Sequence, residues 1–98
     1  MKFDEKKALF GVVNPLLRSL YLEFQELSKK KPHDAVSKGK VKIVNRILGQ
    51  TFSVLDDEPS RVFLDLLDED DLPQNSDVVI MLGQAMTAMG QFRIKNKL

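Results

Sequence analysis

The residues with the clearest potential for binding chemistry are three basic side chains spaced four residues apart, Lys38, Lys42 and Arg46. On an α-helix this spacing stacks the three charges on one face, where they could bind phosphate groups or carboxylates. They belong to a basic segment, Lys29–Arg46, with six lysines and one arginine but no aromatic residue for stacking on bases. The spacing predicts an anion- or partner-binding face without base-specific recognition. A solvated helix face is the alternative.

A run of four carboxylates, Asp68, Glu69, Asp70 and Asp71, could bind a cation or a basic partner. The run lacks the turn glycine and the closing glutamate of a calcium-binding loop, and no other feature fixes a coordination shell. We therefore predict no metal site. Two interpretations remain for the run. One is a solvated loop, and the other is a patch that recruits a basic partner through contacts that weaken with salt.

The only histidine, His33, precedes Asp34 and forms with it a minimal acid–base pair. No serine or threonine near it has the signature of a nucleophile, and the chain has no glycine-rich phosphate loop. We interpret His33 as a loop residue. The sequence predicts no catalytic residue and no cofactor, and therefore no enzyme.

Two glycines, Gly83 and Gly90, lie in the longest apolar segment, residues 76–92. Because they are seven residues apart, they lie on one edge of the helix that this segment predicts. Glycine destabilises a helix interior by up to about 1 kcal/mol relative to alanine, so a close helix contact could offset the cost. The contact is either within the chain or with a second copy, and the second case predicts self-association through this edge.

Apolar residues at helical spacing predict the elements that position these groups. Among the residues on these apolar faces are Leu16, Leu17, Leu48, Val62, Phe63 and Leu82. Helices are expected over residues 15–30, 35–55 and 76–92, and a shorter one from Pro59 to the acidic run. Residues 4–12 form either a short extra helix or the first part of one long helix kinked at Pro15. The sequence KVKIV could also be a strand, but the helical spacing continues for five turns and no partner strand is visible.

These elements predict an all-α fold, a compact bundle of four main helices with a short extra N-terminal helix as an option. Ninety-eight residues are expected to form a single domain, residues 1–98. Short connections favour antiparallel packing of neighbouring helices.

Composition and charge narrow the class of protein. The chain has no cysteine, which excludes disulfides and thiolate zinc sites. Its N-terminal segment is a poor signal peptide, and the glutamines and glycines of residues 76–92 are unlike a membrane span, so we expect a cytoplasmic protein without membrane contact. Net charge is only +1, but residues 1–55 are mainly basic and residues 56–77 mainly acidic. Such asymmetry bears on partners rather than on fold.

The sequence therefore predicts a small non-enzymatic protein–protein interaction or regulatory module. Its expected partner is another protein, and a homodimer through the C-terminal helix is one form of this hypothesis. The alternative is a nucleic-acid-associated protein that binds phosphates through the Lys29–Arg46 segment. That interaction would be tolerant of sequence and would weaken steeply with salt.

Overall fold

The computed structural model describes residues 1–98 and contains three α-helices and no β-strand. The helices are α1 (Phe3–Lys30), α2 (Lys38–Val54) and α3 (Asn75–Lys95), and a short 3₁₀ turn, Pro59–Phe63, lies between α2 and α3. α1 packs against both other helices, whereas α2 and α3 contact each other little. The chain is all-α as predicted, but the prediction of a bundle of four main helices is wrong.

One reason is that residues 4–12 and 15–30 belong to a single helix, α1, with Pro15 in its interior. The buried positions Phe10, Val13 and Leu17 continue at helical spacing across the proline. Pro15 has no N–H, so the carbonyl of Gly11 loses its helical partner. Both residues are exposed, and water can satisfy that carbonyl. The alternative of one long helix is therefore the correct one.

The other reason is that no α-helix forms after Pro59. The 3₁₀ turn ends at Phe63, and the following residues have no regular structure. Leu64 is the residue that this segment buries, whereas Val62 and Phe63 of the predicted apolar face are exposed. The Asn45 side chain makes two hydrogen bonds to the backbone of Leu67: its amide donates to the Leu67 carbonyl (2.9 Å), and its oxygen accepts from the Leu67 N–H (2.8 Å). These bonds hold the backbone of Leu67 in a non-helical conformation.

The other two predicted helices are present with shifted ends. α2 begins three residues later than predicted, where the Ser37 hydroxyl accepts from the Lys40 N–H at 3.3 Å. α3 extends the predicted segment at both ends, and at its start the Gln74 N–H donates to the Asp77 carboxylate at 2.9 Å. Asn75 is buried and donates from its side-chain amide to the Lys31 carbonyl (2.8 Å), which ties α3 to the end of α1. None of the helices is both long and apolar enough to cross a membrane.

A single cluster of 18 buried apolar residues forms the core between the helices. Each helix contributes a fully buried leucine to it: Leu17 from α1, Leu48 from α2 and Leu82 from α3. The rings of Phe10 and Phe92 pack with their centroids 5.6 Å apart and so join the start of α1 to the end of α3. This core fixes which faces of α1 and α2 remain on the surface.

Candidate functional site

A concave surface lies as a groove between the C-terminal half of α1 and the N-terminal half of α2. It has a volume of about 520 Å³. α3 packs on the other side of α1, where the Tyr21 ring contacts Gly83. We call the concave surface the α1–α2 groove, and its lining residues are Leu20, Glu23, Phe24, Glu26, Leu27, Lys30, Lys40, Ile43 and Val44.

The α1–α2 groove continues into an apolar strip that no other part of the chain covers. Ile43 is 54% exposed within the groove, and Leu16 and Val12 are 48% and 63% exposed along α1. Val12, Leu16 and Leu20 follow one another at intervals of four, so they share the side of α1 that carries the groove. Soluble monomers rarely leave long apolar strips on the surface, and such strips often mark contact sites.

Opposite charges border the two sides of the groove. On α1, Glu23 and Glu26 form what we call the acidic flank, and Glu26 also pairs with Lys29 at 3.1 Å. Lys30, at the C-terminal end of α1, also lines the groove. On α2, Lys40 lines the groove and Arg46 lies one turn after Ile43, and these two residues form the basic flank. Glu23, Lys40 and Arg46 make no ion pair within 4 Å, so their charges are available to a partner.

The predicted basic face is present as a surface. Lys38, Lys42 and Arg46 are all exposed on one side of α2, and none of them forms an ion pair. Arg46 lies nearest to the α1–α2 groove, whereas Lys38 points toward the side of Asn45. Binding of an anion or of a partner to these residues remains a prediction.

The predicted acidic patch lies in an exposed loop beside this basic face. Asp68 accepts from the N–H groups of Asp70 (2.8 Å) and Asp71 (3.2 Å), which turns the loop containing Glu69. The patch has no ion pair within 4 Å, and its binding of a basic partner stays a prediction.

Two hydrogen-bonded contacts, one with α2 and one with the residues just before it, hold the acidic loop in place. Asn45 binds Leu67 before the loop, and the Val36 N–H donates to the Pro73 carbonyl after it at 2.8 Å. Six residue steps span at most about 20 Å, while the stretch from Val36 to Asn45 covers about 14 Å. The loop must therefore run along the first half of α2. Its negative charge lies close enough to the basic face to weaken the attraction of that face for phosphate.

The two glycines of α3 have different surroundings. A Cβ added to Gly83 would lie 3.4 Å from Cε1 of Tyr21, so this glycine lies at a close contact between α3 and α1. A Cβ added to Gly90 would meet nothing within 4 Å. Self-association through this edge is untested, and only Gly90 is open to a second chain.

Replacing Gly90 with alanine is expected to stabilise the protein by about 0.5–1 kcal/mol, because alanine has the higher helix propensity and the added methyl group enters open space. Urea denaturation followed by circular dichroism would measure the gain. Gly83→Ala is the comparison, and we expect a smaller gain because its methyl group meets the Tyr21 ring. Destabilisation by Gly90→Ala would show that the position is packed.

At the other end of the α1–α2 pair lies a buried lysine that was not predicted from the sequence. The Lys6 ammonium lies 2.7 Å from the Asp57 carboxylate and 3.1 Å from that of Asp56, just after α2. The hydrogen bond that the Lys6 ammonium donates to Asp57 raises the pKa of Lys6 against the opposing effect of burial, and the same bond lowers the pKa of Asp57. One signal was available, because Lys6 lies four residues before Phe10 on the apolar face of α1. The pair also shows that α1 and α2 are antiparallel.

The candidates for catalysis are scattered. His33 is exposed in the loop after α1, and its Nδ1 lies 3.3 Å from the Gln74 side-chain oxygen. No three histidine, aspartate or glutamate side chains are grouped so that they could hold a metal ion. A second, more open cavity of about 480 Å³ lies between the 3₁₀ turn and α3, where Gln84, Thr87 and Gln91 give it a polar wall.

No protein-family model matches the chain, and neither curated proteins nor solved structures gave a match. The surface itself therefore carries the functional argument, and its most distinctive part is the α1–α2 groove with its two oppositely charged flanks.

Proposed function

We propose that this chain is a small, non-enzymatic interaction or regulatory module of the cytoplasm whose α1–α2 groove binds a helical surface of a partner protein. The observation that carries the proposal is the uncovered apolar strip along the seam of two antiparallel helices. A cytoplasmic location is consistent with the absence of cysteine, because the chain forms no disulfide and needs no oxidising compartment to fold.

The shape of the seam favours a helix as the occupant. From Val12 to Leu27 the strip follows α1 for about 22 Å, which is the length of a helix of about 15 residues. Helices bind such grooves by laying apolar residues at helical spacing into them. The acidic flank on one side and the basic flank on the other require that the bound surface carry basic residues toward α1 and acidic residues toward α2.

A capture experiment with matched variants tests the proposal. The tagged chain would be incubated with a native lysate supplemented with untagged chain at about 1 mM, with and without nuclease, and brief chemical cross-linking before capture would retain weak complexes. Ile43→Glu places a charge in the groove, and Ile80→Glu makes the same change at an exposed position of α3 outside it. We expect the wild type and Ile80→Glu to retain a discrete protein after nuclease treatment, and Ile43→Glu to lose it at least about tenfold. Equal retention by both variants, or no retained protein, would contradict the proposal.

Nucleic-acid binding is the second candidate, and the observation that favours it is the exposed, unpaired basic face of Lys38, Lys42 and Arg46. The acidic loop beside this face counts against it, because phosphates would approach both surfaces together. The nuclease arm separates the two candidates. Retained material that disappears with nuclease, and that is equally retained by Ile43→Glu, would favour this second function.

A further inference from the structure

We propose that the helical surface bound by the α1–α2 groove is the same groove of a second copy of the chain. The two copies would then form an interface of four helices, two from each chain. This inference rests on the proposed function, because it names the surface that the groove binds. Three properties of the groove support it: the apolar strip, the distribution of charge and the direction of the two helices.

The apolar strips of two copies can cover each other. Ile43, Leu16 and Val12 are about half exposed or more, and they lie on the outer side of the seam. On α2, Gly39 lies four residues before Ile43 and is exposed, with open space around its Cβ position. A helix from another chain can approach this part of α2 closely, because no side chain stands in the way.

The two charged flanks select the second copy as occupant. Glu23 comes seven residues after Leu16 and so faces outward on the same side of α1. Arg46 comes three residues after Ile43 and faces outward on α2. Apart from Lys30 at the end of α1, the surface has acids along α1 and bases along α2, so it is complementary to itself, provided that α1 of one copy lies opposite α2 of the other.

Two-fold symmetry provides that arrangement. A two-fold axis parallel to the seam places α1 opposite α2 of the second copy, so that each acidic flank meets a basic flank. Helix directions are unchanged by this rotation, and because α1 and α2 are antiparallel, every neighbouring pair in the four-helix interface is antiparallel. An axis across the seam would instead place α1 opposite α1 and bring like charges together. Charge therefore selects the first arrangement.

The size of the surface predicts a weak dimer. Two helices about 10 Å apart and about 25 Å long cover about 500 Å² in each copy, or about 1,000 Å² in total. This is the lower end for specific interfaces, so we expect association only at high concentration, on the order of 0.1–1 mM. The charged flanks contribute to the association, so raised salt should weaken the dimer.

Sedimentation equilibrium of the purified chain tests the inference directly. The molar mass is expected to rise with concentration from 11.2 kDa toward twice that value. Ile43→Glu should remain monomeric over the same range. Ile80→Glu and Gly90→Leu should dimerise like the wild type, because both positions lie on α3 outside the groove.

A charge-swap experiment tests the orientation. The first variant, Glu23→Lys with Glu26→Lys, makes both flanks basic, and the second, Lys40→Glu with Arg46→Glu, makes both flanks acidic. Each variant alone should be monomeric, because like charges would face each other across the interface. An equimolar mixture of the two should dimerise, because each α1 then faces an α2 of opposite charge. Circular dichroism would confirm that both variants are folded.

Several results would overturn the inference. A wild type that stays at 11.2 kDa at the highest concentration would exclude the dimer, as would equal dimerisation by Ile43→Glu. Dimerisation lost in Gly90→Leu but kept in Ile43→Glu would assign the interface to α3. A monomeric chain that still captures a different protein through Ile43 would leave the proposed function standing, whereas failure of both experiments would remove it as well.

Discussion

Replacing Leu17 with alanine is expected to lower the free energy of unfolding by about 3 kcal/mol, or the Tm by about 12–24 °C. Leu17 is fully buried at the middle of α1, the helix that contacts both α2 and α3. Truncating it removes apolar contacts and leaves a cavity that the surrounding helices can fill only in part. Urea denaturation followed by circular dichroism would measure the loss, at a concentration low enough to keep the chain monomeric.

The neighbouring residue provides a matched control. Leu16→Ala makes the same chemical change one position earlier on the same helix, but Leu16 is 48% exposed. We expect a loss of less than about 1 kcal/mol in the monomer, together with weaker self-association, because Leu16 belongs to the apolar strip. Equal destabilisation by the two substitutions would mean that α1 does not face the core as the structure has it.

This pair of leucines also shows how far the sequence could predict the fold. Helical spacing identified Leu17, Leu48 and Leu82 as members of apolar faces, and it located α2 and α3 to within a few residues. Helical spacing placed Leu16 on the same apolar face as Leu17, because spacing alone does not show whether another helix covers a residue at the edge of that face. Which of these two leucines a neighbouring helix covers is a property of the tertiary structure.

The number of helices depended on interactions that no local pattern contains. At Pro15 the helix continues despite the proline, because the buried face extends from Phe10 to Phe24 and the carbonyl that loses its partner faces water. After Pro59 the local signal for a helix start was present, but Asn45 holds Leu67 from 22 positions away in the chain. Long-range contacts decided both cases.

Long-range contacts also decide how the charged surfaces are arranged. The sequence showed a basic segment followed by an acidic one, and it left open whether the two lie together in space. Asn45 and Val36 anchor the ends of the acidic loop, and these contacts bring the loop beside Lys38 and Lys42. A basic surface with its own acidic neighbour is better suited to a protein partner with mixed charge than to a polyphosphate.

Reversing the charge of the buried lysine is expected to give the largest effect of a charge substitution. Lys6→Glu would place a carboxylate beside Asp56 and Asp57, and the Lys6 side chain is only 8% exposed. We expect the free energy of unfolding to fall by about 2 kcal/mol, less than for a fully buried pair, because both aspartates remain in contact with water. Lys7→Glu is the matched control at an exposed position, and it should change stability much less.

The pH dependence of stability tests the same contact without reversing a charge. The pKa of Asp57 is lowered from its ordinary value of 3.8, so the unfolded chain binds this proton more tightly, and the stabilisation is present above about pH 4 and lost as pH falls through the folded value. The pKa of Lys6 is raised from 10.5, so its stabilisation is present below that pH and lost as pH rises through the folded value. The pair should therefore stabilise the protein across the range between these limits.

Lys6→Met removes the charge, and it keeps an unbranched apolar chain in place of the buried lysine stem. Urea midpoints of the wild type and of this variant would be compared from acid to alkaline pH. The difference between them should be constant near neutral pH and should shift toward lower relative stability of the wild type both in acid and in alkali. A difference that does not change at either extreme would show that Lys6 and Asp57 contribute no net interaction in the folded state.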